Sequence, residues 1–142
     1  MDVNEILLRP TRHEMTDIRM KNKQAQNVAL IDRLDRSREI NITVTGRKSG
    51  RTISIPVWFV FDDNKLHLLP VKGSDTQWYK NVLKNPLIRI DARGTEAELK
   101  AVHVTDPKQV ASVVEKFREK YGASDVKKYY SKFDVAVVAL VR

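Results

Sequence analysis

The chain has 142 residues, 42% of them apolar and 31% charged, and its 26 lysines and arginines outweigh 18 aspartates and glutamates to leave +8. That length and balance describe one globular domain with its own core and exclude a disordered chain. Cysteine is absent, which excludes disulfides, thiolate nucleophiles and cysteine-built metal centres, and no apolar run approaches the ~20 residues of a membrane-spanning helix.

Residues 1–23 are polar, with Pro10 and scattered charges, and read as a loose arm or irregular helix. They lack the basic, apolar, small-residue succession of a secretory signal, so the default compartment is the cytoplasm. From Gln24 to Arg38, Val28, Ile31 and Leu34 recur at helical spacing, with Asp32, Arg33, Asp35 and Arg36 outside. The period then changes to two. Ile40, Ile42 and Val44 alternate with Asn41, Thr43 and Thr45 in a half-buried strand. A basic turn, Gly46–Arg51, leads to Ile53–Phe61, apolar on both faces, which predicts a strand covered on both sides. Asp62–Asn64 is a hairpin turn and Lys65–Val71 the returning strand. Asp75 is placed to cap a helix over Thr76–Lys84, which Asn85-Pro86 stops. Leu87–Asp91 and Thr95–Thr105 are strands either side of Arg93-Gly94. Asp106 at N-cap and Pro107 at N1 open a helix with the stripe Val110, Val113, Val114, Phe117 and Tyr121, closed by Gly122. Ser124–Lys132 is helical, and Val135–Val141 is an apolar last strand.

Six strands joined mostly by short turns predict antiparallel pairing, and a small barrel protects every sheet edge at this size. The fold class expected is α+β: a six-stranded, mostly antiparallel barrel with helices 107–121 and 76–84 packed outside it. Residues 1–38 form an N-terminal arm and helix, and residues 39–142 the barrel, within one domain overall. Few helices remain to cover an outer face of Ile55–Phe61, so a second copy of the chain is expected there, as a homodimer.

No side chain announces acid–base, nucleophilic or metal chemistry. His13, His67 and His103 have no metal-ligand spacing. Glu96, Glu98 and Lys100 form a solvated row on one strand face. Lys48-Ser49 has Arg47 where a P-loop needs glycine. No catalytic residue is assigned and no metal is expected; an enzyme built this way would take its reactivity from a cofactor. A +8 domain attracts anions, whether nucleic acid, acidic lipid or a phosphate-bearing cofactor. The Gly46–Arg51 turn brings two glycines, three cations, a hydroxyl and backbone N–H groups to a strand end, a composition suited either to cradling phosphate or to a solvated hairpin turn.

Four motifs occur in order over about 45 residues: Thr45–Gly50 (TGRKSG), Pro56-Val57-Trp58, Lys72-Gly73, and Trp78-Tyr79-Lys80-Asn81 with Asn85-Pro86. Together they resemble the deazaflavin-dependent nitroreductase family, and the likeness runs from about Asn41 onward. The resemblance implies the split β-barrel of pyridoxamine-phosphate oxidases and FMN-binding flavin reductases. It also implies coenzyme F420, a 5-deazaflavin carrying a phosphate and an oligoglutamate tail, whose reduced form gives a hydride to quinones, nitroaromatics or activated alkenes. By the same resemblance, Arg47, Lys48, Ser49 and Gly50 would hold the phosphate, and Pro56, Val57 and Trp58 would lie along the ring. Lys72 and Gly73 would approach the ring's polar edge or the phosphate arm, on a loop braced by Trp78, Tyr79 and Asn81. Tyr129 and Tyr130 would line the substrate pocket. The sequence departs from the pattern at two places. Thr52 and Ile53 stand where relatives often carry Pro-Arg, leaving Arg51 as the substitute cation. Val71 stands where a small polar residue often precedes the lysine.

The leading expectation is therefore a reductase using F420H2, of nitroreductase or quinone-reductase type, acting on a small-molecule electron acceptor. The same barrel using FMN is the alternative. A non-catalytic module for an anionic ligand or nucleic acid is the third reading. Against nucleic acid, the aromatics lie in apolar strands rather than alternating with cations on one face.

Overall fold

The computed structural model describes residues 27–141. The arm expected over residues 1–23 lies outside the described residues. Helix α1 (27–35) leads into β1 (Glu39–Thr45), β2 (Thr52–Asp62) and β3 (Lys65–Leu68). A 3-10 turn at Gly73–Asp75 precedes α2 (Gln77–Lys84), then β4 (Leu87–Ala92) and β5 (Thr95–Val104). Helices α3 (Pro107–Tyr121) and α4 (Ala123–Tyr129) and strand β6 (Ala136–Leu140) complete the chain. The strands close into an antiparallel barrel in the order β1-β2-β3-β6-β5-β4.

The long strands make the barrel's corners. β2 pairs with β1 from Thr52 to Trp58 and with β3 from Phe59 onward. β5 pairs with β4 as far as Lys100 and with β6 from Ala101 onward. Each strand thus serves two sheets, which is how orthogonally packed sheets share a core. Inward positions alternate as expected: Ile40, Ile42, Val44, Ile88, Ile90 and Val137 are fully buried. The β2–β3 turn runs through Asp63 and Asn64, both at positive φ, the conformation a two-residue hairpin demands.

Both ends of the barrel are stoppered. At one end α1 inserts Leu30 and Leu34 into the interior cluster, and Arg33 donates to the Arg93 carbonyl in the β4–β5 turn at 2.8 Å. Val28, expected on the buried stripe, is 67% exposed. It sits two residues, about 200°, around the helix from Leu30. At the other end α2 buries Trp78, Tyr79 and Val82 in the same cluster. This helix was expected outside the barrel; its apolar face instead closes the interior. Its N-cap is Thr76 rather than Asp75, whose carboxylate pairs with Lys132 at 3.2 Å.

Helix α3 packs outside, on the sheet formed by β2, β3, β6 and β5, through Val110, Val113, Val114, Phe117 and Tyr121. Asp106 accepts from the Gln109 N–H as its cap, and Gly122 ends the helix at φ +93. The last helix stops at Tyr129, short of the expected Lys132, because Lys132 and Asp134 turn back onto the Gly73–Asp75 loop. β2 is not covered on both sides. Only Phe59 is fully buried, the outward Trp58 and Val60 lie under α3, and Ile53 is 41% exposed at the strand's open end.

Candidate functional site

A cleft of about 550 Å³ opens where β2, the Leu69–Thr76 segment and α4 meet. Its walls are Ile55, Pro56, Val57, Trp58, Leu69, Val71 and Trp78, with Thr76, Tyr129, Tyr130 and Glu39 adding the polar atoms. Seven of the residues singled out in the sequence therefore meet here: Pro56, Val57, Trp58, Val71, Trp78, Tyr129 and Tyr130. The sequence reading missed Glu39, Ile55, Leu69 and Thr76. Ile55 lay within reach, inside a strand already singled out. Glu39 had no signal, because it reaches the site only through its pairing opposite Trp58.

Trp58 is the fixed wall. Its ring stacks on Tyr121 with centroids 4.2 Å apart and planes 6° from parallel, and meets Tyr129 edge-on at 5.5 Å. Tyr121 is itself pinned: its hydroxyl donates to the Arg38 carbonyl at 2.6 Å and accepts from the Phe59 N–H at 3.1 Å. Burial pushes Tyr121 up to about 12. Beside it, Lys120 donates to the carbonyls of Phe59 at 2.9 Å and Ser37 at 3.3 Å, with its ammonium 3.6 Å from the Phe59 ring centroid. Burial, then repulsion from Arg38, lowers Lys120 to about 8. Residues 120–121 thus clamp β2 to the start of β1 just behind the cleft.

Tyr130 differs from its neighbour. Tyr129 is half exposed, whereas Tyr130 is only 6% exposed, and since no fully buried polar side-chain atom among the described residues lacks a partner, its hydroxyl is not sealed off unpaired. It lines the cleft. Burial raises its pKa well above the ordinary tyrosine value, so it stays a neutral donor at every physiological pH.

The loop beneath the tyrosines is zipped to the segment that follows them. Ser131 N–H donates to the Val71 carbonyl at 2.9 Å, Ser74 N–H to Asp134 at 2.9 Å, and Lys72 N–H to the Thr76 hydroxyl at 2.8 Å. Gly73 is buried at φ +55, and a Cβ there would stand 2.1 Å from the Asp134 carboxylate. Its place is a packing requirement of this zipper. Lys72 is exposed beside the cleft residue Val71.

The basic turn lies at the far side of α2. Arg47 does not point freely to solvent. Its guanidinium donates to Asn81 Oδ1 and Gln77 Oε1, both at 2.8 Å, and its N–H to Asn81 at 3.1 Å. Asn81 is buried, so its role is to tie the turn to α2. Tyr79 is core and does not reach the cleft. Within the turn, the Gly46 and Gly50 N–H groups close the loop on Arg51 and Gly46 carbonyls, and the Arg51 N–H donates to Ser49 Oγ. Lys48, Ser49 and Arg51 are exposed. Helix α2 thus links the two parts, giving Thr76 and Trp78 to the cleft and Gln77 and Asn81 to the turn.

Among the described residues no three histidine, aspartate or glutamate side chains converge as metal ligands, and no helix is long and apolar enough to cross a membrane. The model of a bacterial family described as "Uncharacterized protein conserved in bacteria (DUF2255)" matches residues 30–138. The chain belongs to this DUF2255 family. No curated protein matches the sequence. Solved structures share the fold at low identity. An F420-H2 dependent reductase, FDR-A, is 20% identical with a TM-score of 0.57, covering 72% of this chain and 93% of its own. A putative pyridoxamine 5′-phosphate oxidase from Listeria innocua is 14% identical with a TM-score of 0.58, covering 81% and 91%. HutZ, the heme storage protein from Vibrio cholerae, is 14% identical with a TM-score of 0.60, covering 80% and 87%. The barrel is therefore of the split-barrel type that the motifs implied.

Proposed function

We propose that this DUF2255 member is an oxidoreductase that holds coenzyme F420 along the cleft and reduces a small organic acceptor. The observation that carries the reading is the cleft itself: a pre-formed, mainly apolar slot with one stacked indole wall and the Tyr130 side chain in its lining. A flat tricyclic ring fits such walls. An anionic arm fits the side where α2 presents the Gly46–Arg51 turn. Pro56, Val57, Trp58 and Val71 would flank the ring, and Lys48, Ser49 and Arg51 would meet the phosphate. Arg47, Asn81 and Gly73 act one step back, by holding the turn and the loop in place. When bound, the reduced cofactor supplies a hydride.

The chain's own residues do the rest. Trp58, fixed by Tyr121, sets the plane of the slot. Tyr130, kept neutral by burial, donates a hydrogen bond to an acceptor oxygen such as that of a quinone or nitro group, where negative charge develops on reduction. Tyr129 and the α4 end exclude water from one side.

FMN is the second reading. Because Arg47 is engaged by Gln77 and Asn81, the turn presents fewer cations than its composition suggests, which suits a single phosphate as well as a longer anionic tail. Titration of the purified chain with F420 and FMN side by side, followed by absorbance and by tryptophan quenching, tests both. Saturable binding of one with quenching of the two cleft tryptophans, Trp58 and Trp78, is expected. Binding of neither would overturn the cofactor assignment.

A further inference from the structure

Among the residues lining the cleft, Glu39 alone carries a charge at neutral pH. It opens β1 and pairs directly opposite Trp58 on β2. Directly paired residues of an antiparallel ladder share a face, with Cβ atoms ~4.5–5.5 Å apart, so the carboxylate stands beside the indole. Glu39 is exposed. The cations around it are engaged with other groups. Arg38 lies over the Tyr121 ring at 5.2 Å, and Lys120 donates to the carbonyls of Ser37 and Phe59.

Trp58, Trp78, Tyr129 and Tyr130 make the rest of the lining strongly aromatic. Three of these rings form a corner. Tyr129 stands at 79° to Trp58 and Tyr130 at 46°, with centroids 5.5 and 6.1 Å from the indole. Rings inclined to one another in this way offer their negative π faces from more than one side, which is how aromatic cages receive a positively charged nitrogen. Tyr129 already attracts a cation of its own chain, with the Lys128 ammonium 5.3 Å from its ring centroid.

We propose that the acceptor taken by this cleft carries a positively charged nitrogen, as a quaternary ammonium or an N-alkylated ring, held against Trp58, Tyr129 and Tyr130 and paired with Glu39. The charged nitrogen is a handle that positions the ligand, and the group that is reduced lies elsewhere on it. The inference rests on the reading of the cleft as the acceptor's site and narrows that reading to one chemical class. Its sign separates it from the rest of the molecule. A chain of +8, with Lys128 at Tyr129 and Lys72 beside Val71, favours anions through its overall field. A preference for cations in this cleft therefore arises locally, from Glu39 and the rings.

Three probes of one shape and different charge test it without cofactor: choline, neohexyl alcohol (the same skeleton with carbon in place of the nitrogen) and the anion of tert-butylacetic acid. Trp58 and Trp78 are the only tryptophans of the chain, so fluorescence reports on the cleft directly. At constant ionic strength choline should bind roughly tenfold tighter than the alcohol, and the anion weakest of the three. Glu39→Gln should weaken choline several-fold and leave the alcohol unchanged. Glu98→Gln, which removes the same charge from β5, should keep the wild-type order. Tyr129→Leu keeps an apolar side chain without the ring and should weaken choline alone, a second readout should the Glu39 variant fold poorly. Equal affinities for choline and the alcohol would overturn the proposal, as would no saturable response to choline, or a cation preference unchanged in both Glu39→Gln and Tyr129→Leu. Titrations with F420 and FMN keep the two readings apart. If neither cofactor binds while choline is preferred, the cofactor reading fails and the cation site stands; if a cofactor binds and the probes show no order of charge, the cation site alone fails.

Discussion

Single side chains in the basic turn divide into those that hold the turn and those that face outward, and the two kinds make opposite predictions. Lys48 is exposed. A hydrogen bond to a charged group contributes about 1.5–3 kcal/mol, so Lys48→Ala should weaken cofactor binding roughly ten- to a hundredfold with the melting temperature unchanged. Arg36→Ala, in the turn just past α1 at the other end of the barrel, removes a charge and an exposed ion pair with Asp32, and should leave affinity unchanged. Equal losses in the two variants would mean that only overall charge matters. Asn81→Ala should do the reverse of Lys48→Ala. It strips the acceptor from the Arg47 N–H and guanidinium in a buried setting, at a cost of about 1–3 kcal/mol. A fall in melting temperature of roughly 3–12 °C follows, readable by calorimetry in the absence of ligand. The sequence placed Lys48 on the phosphate and Asn81 as a brace of the Lys72-Gly73 loop. It could not show that Asn81 ties down the basic turn, because the Asn81–Arg47 bond joins positions 34 apart and leaves no local periodic trace.

Elements carry a different logic, since the cleft is shaped by two contacts between segments distant in sequence. The first is the zipper between the Gly73–Asp75 turn and residues 131–134. Gly73 and Gly94 both lie at positive φ, yet an added Cβ at Gly94 meets nothing within 4 Å and at Gly73 it meets the Asp134 carboxylate. Gly94→Ala should therefore cost only the backbone strain, about 1 kcal/mol. Gly73→Ala should cost more and also lower ligand affinity, by displacing Tyr129 and Tyr130; equal melting temperatures for the two would show that the zipper does not constrain the loop. The second contact is the α3 clamp. Lys120 titrates near 8 in the folded chain and near 10.4 in the unfolded one, first because burial disfavours its charge and then because Arg38 repels it. Below about pH 8 folding must bury a charge that the unfolded chain solvates. Between pH 8 and 10 the native state has released that proton and the unfolded state has not, so this group's contribution to stability rises with pH. Tyr121 and Tyr130, both raised, act oppositely only above about pH 10. Urea midpoints at pH 7 and 9.5 should rise in the wild type more than in Lys120→Met. A parallel change in both would place the effect elsewhere.

At the scale of the molecule, the period-two and period-3.6 patterns made the barrel and its outer helix legible. Ile40, Ile42 and Val44 alternate, and the α3 stripe is buried throughout. What the pattern could not carry is closure: the corners at Trp58–Phe59 and Lys100–Ala101 depend on which strand each half meets, and α2 became a stopper because the barrel leaves an open end for Trp78 and Val82 to fill. Net charge, by contrast, was readable at once, and it has a consequence separable from any one lysine. A field of +8 acts on whatever part of a ligand stays in solvent, and salt screens it over about 10 Å at 0.1 M ionic strength and about 3 Å at 1 M. In the proposed binding mode the ring and phosphate occupy the cleft and the turn, so the oligoglutamate tail of F420 would extend into that field, whereas FMN ends at its phosphate and riboflavin carries no charge. Affinity should therefore fall with added salt most steeply for F420, less for FMN and hardly at all for riboflavin. Lys48→Ala should flatten the F420 and FMN slopes by a similar amount, because both lose the same phosphate contact, and leave the difference between them, which belongs to the tail. Isothermal titrations of the three ligands at low and high ionic strength measure all of this. If F420 and FMN share one slope in the wild type, the net charge plays no part in holding the tail, and binding is confined to the turn and the cleft.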